Sequence, residues 1–182
     1  TKHNKSTMNT QITNINEINE KLSNYLIPKL LSGRLKKDCE SLLNKGGTIN
    51  IKNDIENKNI IIELSRQEGL HINKYCFMVP LEYPFSPPKI KINETAYIDF
   101  CNLHSDRFGT VLKYIKGTEC LCCHSYICKN NWTPGLNLNH ILIQINEYKK
   151  IKYYIALKIL ADKIKEKYLN SYIDLDSWLY SI

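Results

Sequence analysis

Seven of the 182 residues are cysteines, and four of them, Cys120, Cys122, Cys123 and Cys128, crowd into nine consecutive positions. An odd count with such crowding makes a poor disulfide framework. It suits a reducing compartment, where thiols serve catalysis or metal binding. The first chemistry is nucleophilic. The turn Gly117-Thr118-Glu119 presents the Cys120 thiol at the surface, with Leu121 anchoring the chain behind it. The thiolate is the attacking form, and Glu119 next to it is expected to raise the thiol pKa. The second chemistry is metal ligation. Cys101-x-x-His104, then fifteen residues, then Cys120-x-x-Cys123 is a spacing with which two short turns close a tetrahedral zinc site. Cys122, His124 and Cys128 are further ligands in reach of that pattern. A closed four-ligand site would consume Cys120 and end nucleophilic chemistry there. No Gly-rich phosphate loop, H-E-x-x-H or G-x-S-x-G occurs, which argues against nucleotide hydrolysis and against serine protease or metalloprotease chemistry.

The elements that must hold these thiols follow from periodicity. Ile15, Ile18, Leu22, Tyr25 and Leu26 have helical spacing, Pro28 interrupts, and Leu30, Leu31, Leu35, Cys39, Leu42 and Leu43 carry a second helix that Gly46-Gly47 ends. Strand signals follow at 48–51, 59–64, 75–81 and 89–93, and their short connections favour an antiparallel meander of four strands. Tyr83-Pro84-Phe85-Ser86-Pro87-Pro88 is a rigid loop between the last two, since proline cannot feed a ladder. Residues 94–119 show no sustained period. From Asn139, a plausible N-cap, a long helical stripe runs Ile141, Ile145, Tyr148, Ile151, Ile155 and on through Leu157, Leu160, Ile164 and Tyr168, with a bend expected at Lys149-Lys150. The segment 174–182 reads as a short docked helix. The fold class is α+β.

Three motifs together, the YPFSPP turn at 83–88, Gly117-Thr-Glu-Cys-Leu and Trp132-Thr-Pro-Gly-Leu, resemble the core of the ubiquitin-conjugating enzymes. There the pattern is a YPF-x-PP turn, G-x-x-C-L and W-[ST]-P-A-L. The resemblance implies a polar tail at 1–14, an N-terminal helical extension at 15–28, a conjugating-enzyme core at 29–155 and a C-terminal helical extension at 156–182. It also implies long C-terminal helices packed on one face of the four-stranded sheet. Cys120 would accept ubiquitin, or a ubiquitin-like modifier, as a thioester from a ubiquitin-activating enzyme in an ATP-dependent pathway. It would then pass the modifier to a lysine or a ubiquitin ligase, with no cofactor. Phe85, Trp132 and Pro134 correspond to the ligase-facing loops, and Arg34, Lys36 and Lys37 to the surface facing the activating enzyme.

The departures are specific. No H-P-N occurs, and Leu112 stands where the family places it. His104-Ser105-Asp106 is the nearest candidate, and it requires an insertion of six residues at about Phe108–Lys113. An ionised Asp106 cannot donate to an oxyanion as an asparagine would. Trp132 lies twelve residues beyond Cys120, farther than the family pattern has it, and Gly135 replaces the usual alanine. The alternative is an adaptor resembling the non-catalytic RWD domain, which shares Y-P-x-x-x-P-P. It would lack thioester chemistry and be stapled by zinc through Cys101, His104, Cys120, Cys123 and Cys128.

A net charge of +7 and a pI near 8.9 are spread over dispersed lysines, which gives no support for a nucleic-acid partner. No run of 18 apolar residues suggests a membrane span, and the N-terminal stretch lacks the apolar core of a signal peptide. The reading is a cytoplasmic or nuclear protein. The Asn, Ile, Lys and Tyr bias is compatible with an AT-rich genome such as that of a large DNA virus, for which the compartment would be the host cytoplasm.

Overall fold

The computed structural model describes residues 12, 14–25, 27–102, 106–118 and 120–168. Two helices, α1 (Ile15–Ser23) and α2 (Lys29–Leu43), precede five strands: β1 (Thr48–Asp54), β2 (Asn59–Glu68), β3 (His71–Pro80), β4 (Lys89–Ile92) and β5 (Thr95–Ala96). Two shorter helices follow, α3 (Tyr97–Cys101) and α4 (Asp106–Lys116), then a single 3-10 turn at Cys122–His124 and the 31-residue α5 (Leu138–Tyr168). The strands lie in chain order and every neighbouring pair is antiparallel. The chain is thus α+β with a meander sheet and a long C-terminal helix.

The alternation of the strands sets which face is buried. Ile60, Ile62 and Leu64 of β2, Tyr75, Phe77 and Val79 of β3, and Ile90 and Ile92 of β4 all point inward. They share one core with Leu31, Leu35, Cys39 and Leu42 of α2 and with Leu138, Ile141, Leu142 and Ile145 of α5. Gly47 holds the entry to β1 in place. Its φ is +122°, and an added Cβ would lie 2.6 Å from the Ser65 carbonyl oxygen. No other residue type fits that approach.

Five strands stand where the sequence suggests four. The extra one is a two-residue hairpin return, turned by Asn93 and Glu94 at φ +48° and +67°. Asn93 tolerates that conformation, and its side-chain oxygen accepts the Lys74 N–H at 2.8 Å. The expectation of irregular chain over 94–119 is corrected by α3 and α4. In α4, buried Leu112 with half-buried Phe108, Val111 and Ile115 forms a short apolar stripe. Gly109 and the β-branched Thr110 and Val111 obscure it by lowering local helix propensity. α5 runs unbroken through Lys149-Lys150 and through residue 155. Its N-cap is Asn137, not Asn139. The Asn137 side chain accepts the His140 N–H at 2.9 Å while its own N–H donates to His140 Nδ1 at 3.2 Å. The segment expected to dock at 174–182 lies outside the described residues. Among the described residues no helix is long and apolar enough to cross a membrane.

Candidate functional site, a three-thiol loop

The loop from Gly117 to Asn137 joins α4 to α5 and is held at both ends. At its start, Gly117 adopts φ +70° and its N–H donates to the Lys113 carbonyl at 2.8 Å, closing α4 in the usual left-handed glycine cap. Leu121 is buried and fixes the chain behind Cys120. The 3-10 turn then folds Cys122 and Cys123 back toward Cys120. The Cys120 and Cys123 sulfurs lie 3.0 Å apart, Cys120 and Cys122 3.3 Å, and Cys122 and Cys123 3.9 Å. Cys123 is exposed and the other two are partly so.

Polar side chains, of which Gln144 and Ser125 are buried, set this geometry. Gln144 of α5 accepts the Tyr126 N–H at 2.8 Å and donates to the His124 carbonyl at 3.2 Å. The Asn131 amide donates to the carbonyls of Cys123 (2.9 Å) and Ser125 (3.1 Å). Buried Ser125 donates to the Tyr97 hydroxyl at 2.9 Å and accepts the Ile127 N–H at 3.2 Å. Loop backbone groups are paired in this way by Gln144 of α5 and by the loop's own Asn131 and Ser125, and Tyr97 of α3 anchors the Ser125 hydroxyl.

The loop's far end locks onto the YPFSPP turn. Trp132 Nε1 donates to the Pro84 carbonyl at 2.7 Å, and its ring meets Tyr83 at 5.9 Å and 42°. The Tyr83 hydroxyl donates to the carboxylate of buried Asp38. Asp38 in turn pairs with Arg34 at 3.4 Å, and Arg34 donates to the Leu136 carbonyl at 2.6 Å. Burial pushes the Asp38 carboxyl above its ordinary range, against the hydrogen bond from Tyr83 and the nearby Arg34 charge.

The electrostatics of the thiols differ from the sequence expectation. Glu119 lies outside the described residues, and the Cys120 thiol is held below its ordinary pKa rather than above it. Hydrogen bonds from the Cys123 thiol, and secondarily from Cys122, are the cause. Cys122 is correspondingly raised, and Cys123 is pushed up to about 12. Two protons, kept by Cys122 and Cys123, are distributed over three sulfurs, and that arrangement favours the thiolate at Cys120 over the other two.

The metal-ligand set also changes. Cys120, Cys122 and Cys123 form a group of sulfurs all within 4.8 Å of one another, able to hold a metal ion. Cys101 and Cys128, expected as ligands, are not members of it. Cys101 is fully buried at the end of α3, and burial raises its thiol to about 11, which disfavours the thiolate a metal requires. Cys122 takes the place expected for them because the 3-10 turn curls residues 120–123 onto one side.

The remaining predicted residues fall into three groups. His104 lies outside the described residues. Asp106 is exposed in the first turn of α4, and the segment Phe108–Lys113, expected as an insertion, is the body of that helix, which spans about 16 Å. Arg34 is occupied within the fold by Asp38 and Leu136. Lys37 is exposed and Lys36 approaches Glu40 at 4.0 Å. Phe85 is 70% exposed and Pro134 is exposed, whereas Trp132 is buried. Sequence reasoning did not find Gln144, Asn131, Ser125, Tyr97 or Asp38. Gln144 carried a usable signal, being the one amide inside the apolar stripe Ile141, Ile145, Tyr148. No protein-family model, curated protein or solved structure matches this chain.

Proposed function

We propose that this chain is a ubiquitin-conjugating-type carrier that accepts ubiquitin or a ubiquitin-like modifier as a thioester on Cys120. The observation that carries this reading is the accessible Cys120 sulfur, 3.0 Å and 3.3 Å from two neighbouring thiols and lowered in pKa, on a loop whose other end is clamped by Trp132 to the YPFSPP turn. A group-transfer thiol needs to be a thiolate at neutral pH, and it needs a fixed position. The thiol cluster shifts Cys120 toward the first by lowering its pKa, and the Gln144, Asn131 and Ser125 bonds favour the second.

In the proposed reaction the Cys120 thiolate attacks the carbonyl of the thioester on the activating enzyme. The tetrahedral intermediate collapses with expulsion of that enzyme's thiolate, leaving the modifier on Cys120. A neutral lysine amine, or a ligase cysteine, then attacks the new thioester and Cys120 leaves as thiolate. The lowering of the Cys120 pKa by its neighbouring thiols makes it a better leaving group in this second step than an unperturbed thiol would be. A carboxylate at Asp106 offers the oxyanion no proton, so a donor from a bound ligase completes the site. Phe85 and Pro134, both exposed beside the Trp132 clamp, form the surface for that ligase, and Lys37 with Lys36 the surface for the activating enzyme.

A second reading is favoured by one observation, the convergence of three sulfurs within 4.8 Å. A conjugating-enzyme-like or RWD-like adaptor would use them as thiolate ligands for zinc, with a fourth ligand completing the tetrahedron. The reduced protein, mixed with ubiquitin, activating enzyme and ATP and run on a non-reducing gel, separates the two. The carrier gives a band one ubiquitin larger that dithiothreitol removes and that Cys120→Ala lacks. Absence of that band, with zinc bound stoichiometrically and released on Cys120→Ala, overturns the carrier reading in favour of the adaptor.

A further inference from the structure

We infer that Cys120 and Cys123 are the two halves of a reversible redox switch, closing a Cys120–Cys123 disulfide that caps the carrier sulfur under oxidation. The consequence for transfer rests on the carrier reading, whereas formation of the disulfide does not. Three features of the loop point to this pair. Their sulfurs are the closest two of the cluster at 3.0 Å, so bonding requires an approach of only about 1 Å to the S–S distance of roughly 2.05 Å. Cys123 is exposed, so its sulfur meets solvent oxidants and reductants directly. The pair also spans two intervening residues at a 3-10 turn, a larger and less strained ring than Cys120–Cys122 at 3.3 Å would close.

The chemistry balances with a peroxide as oxidant. The Cys120 thiolate attacks one peroxide oxygen, the O–O bond breaks, and the departing hydroxide takes a proton to leave as water. Cys120 is then a sulfenic acid. Cys123 attacks the sulfenic sulfur, the S–O bond breaks as the S–S bond forms, and the hydroxide leaves with the Cys123 proton as a second water. Two thiols are oxidised and one peroxide is reduced. A cellular dithiol reverses the bond by exchange. Without Cys123 the sulfenic acid loses its nearest resolving thiol and keeps only Cys122 at 3.3 Å; where neither resolves it, a second peroxide oxidises it to the sulfinic acid, which dithiols do not reduce. Cys123 therefore protects the carrier sulfur as well as silencing it.

The test uses the full chain, reduced and treated with a chelator, then exposed to stoichiometric hydrogen peroxide. Free thiols are alkylated and the tryptic peptide 117–129, which holds all four loop cysteines, is sequenced by mass spectrometry. The expected product has lost two hydrogens between Cys120 and Cys123, and dithiothreitol restores it. In the double variant Cys122→Ser, Cys123→Ser, which removes both neighbouring thiols, excess peroxide supplies the second equivalent and gives Cys120 sulfinic acid that dithiothreitol does not restore. Charging with ubiquitin, measured in parallel, is lost on oxidation and regained on reduction in the wild type, and lost irreversibly in the double variant under excess peroxide. A protein that charges but forms no Cys120–Cys123 bond, or links Cys120 to Cys122 or between molecules instead, overturns the switch alone. A protein that forms the bond but does not charge overturns the carrier reading alone.

Discussion

The two ends of the loop 117–137 are built on opposite principles. At the Trp132 end, a chain of directional contacts links the loop to the fold: indole to Pro84 carbonyl, Tyr83 to Asp38, an ion pair from Arg34 to Asp38, and Arg34 to the Leu136 carbonyl, with Arg34 Nε left without a hydrogen bond of its own. At the Cys120 end, three soft sulfurs face one another near solvent. The first arrangement is directional and tied to several distant parts of the fold. The second rests on weak contacts between sulfurs, with the Cys120 thiol lowered in pKa. A nucleophile built this way needs a stiff mount, and the difference between the ends shows where the stiffness comes from.

The largest expected effect lies at the rigid end. Trp132→Ala removes a buried indole and its bond to Pro84, and should lower unfolding stability by about 3–5 kcal/mol, read from urea denaturation. Cys120→Ala, twelve residues away, should leave the unfolding free energy within about 0.5 kcal/mol of wild type, as expected for a partly exposed position outside the packed core. Equal losses for the two variants would erase the contrast.

Gln144 tests the link between the ends. Gln144→Leu keeps the apolar volume but leaves the Tyr126 N–H and the His124 carbonyl without their bonds, and should cost about 1–3 kcal/mol. The more telling readout is the pH profile of Cys120 alkylation. With the 3-10 turn loosened, the neighbouring thiols should no longer hold the Cys120 proton off. The profile should then move up toward that of an ordinary thiol near pH ~8.5. An unchanged profile would show that Cys120 owes its acidity to something other than the geometry Gln144 enforces.

A region remote from both ends supplies a control for pH. Burial works against the Glu68 carboxylate, but the Tyr75 hydroxyl (2.7 Å), the Lys149 ammonium (2.9 Å) and the Asn73 amide (2.7 Å) overcome it and hold its pKa below the ordinary range. A depressed folded-state value means stability that is fully present above the unfolded carboxylate pKa of about 4.3, and lost as pH falls through the lower folded value. Glu68→Gln should therefore flatten part of the acid limb of the stability curve below about pH 4.3, while the alkylation profile of Cys120 stays where it was. Movement of both would mean that α5 transmits the sheet's electrostatics to the thiol loop.

Much of the frame could be read from residue order. The inward faces of β2 and β3 follow a period of two, α2 ends where its glycines stand, and the prolines mark the turn that Trp132 clamps. What escaped was of two kinds. α4 was hidden because Gly109, Thr110 and Val111 weaken its propensity, although Leu112 and its neighbours pack it firmly into the core. The make-up of the thiol cluster was hidden because it depends on the turn of the 3-10 helix and not on spacing. Cys101-x-x-His104 looks like half a zinc site in one dimension, while in three Cys101 is sealed at the end of α3 and Cys122 takes its place. Likewise Arg34 reads as a surface cation, yet the nearby Asp38 and the distant Leu136 carbonyl, 102 residues on, draw it inward.

The smallest effect on stability belongs to Phe85, which shares a turn with the most constrained residues of the chain. Tyr83 and Pro84 on one side are fixed by Asp38 and Trp132, while the Phe85 ring is 70% exposed. An aromatic ring held in solvent by a rigid turn contributes little to folding, so Phe85→Ala should change unfolding stability by less than about 0.5 kcal/mol. Such a ring is suited to be an anchor, because its position is already fixed and little conformational entropy is lost when a partner covers it. The expected outcome is therefore a split: charging of Cys120 by the activating enzyme unchanged, discharge to a cognate ligase slowed. Discharge to free lysine, which needs no ligase, should proceed at the wild-type rate. If Phe85→Ala slows charging and free-lysine discharge to the same degree, the ring belongs to the mount of the thiol loop, and the exposed tip of the YPFSPP turn is no ligase contact at all.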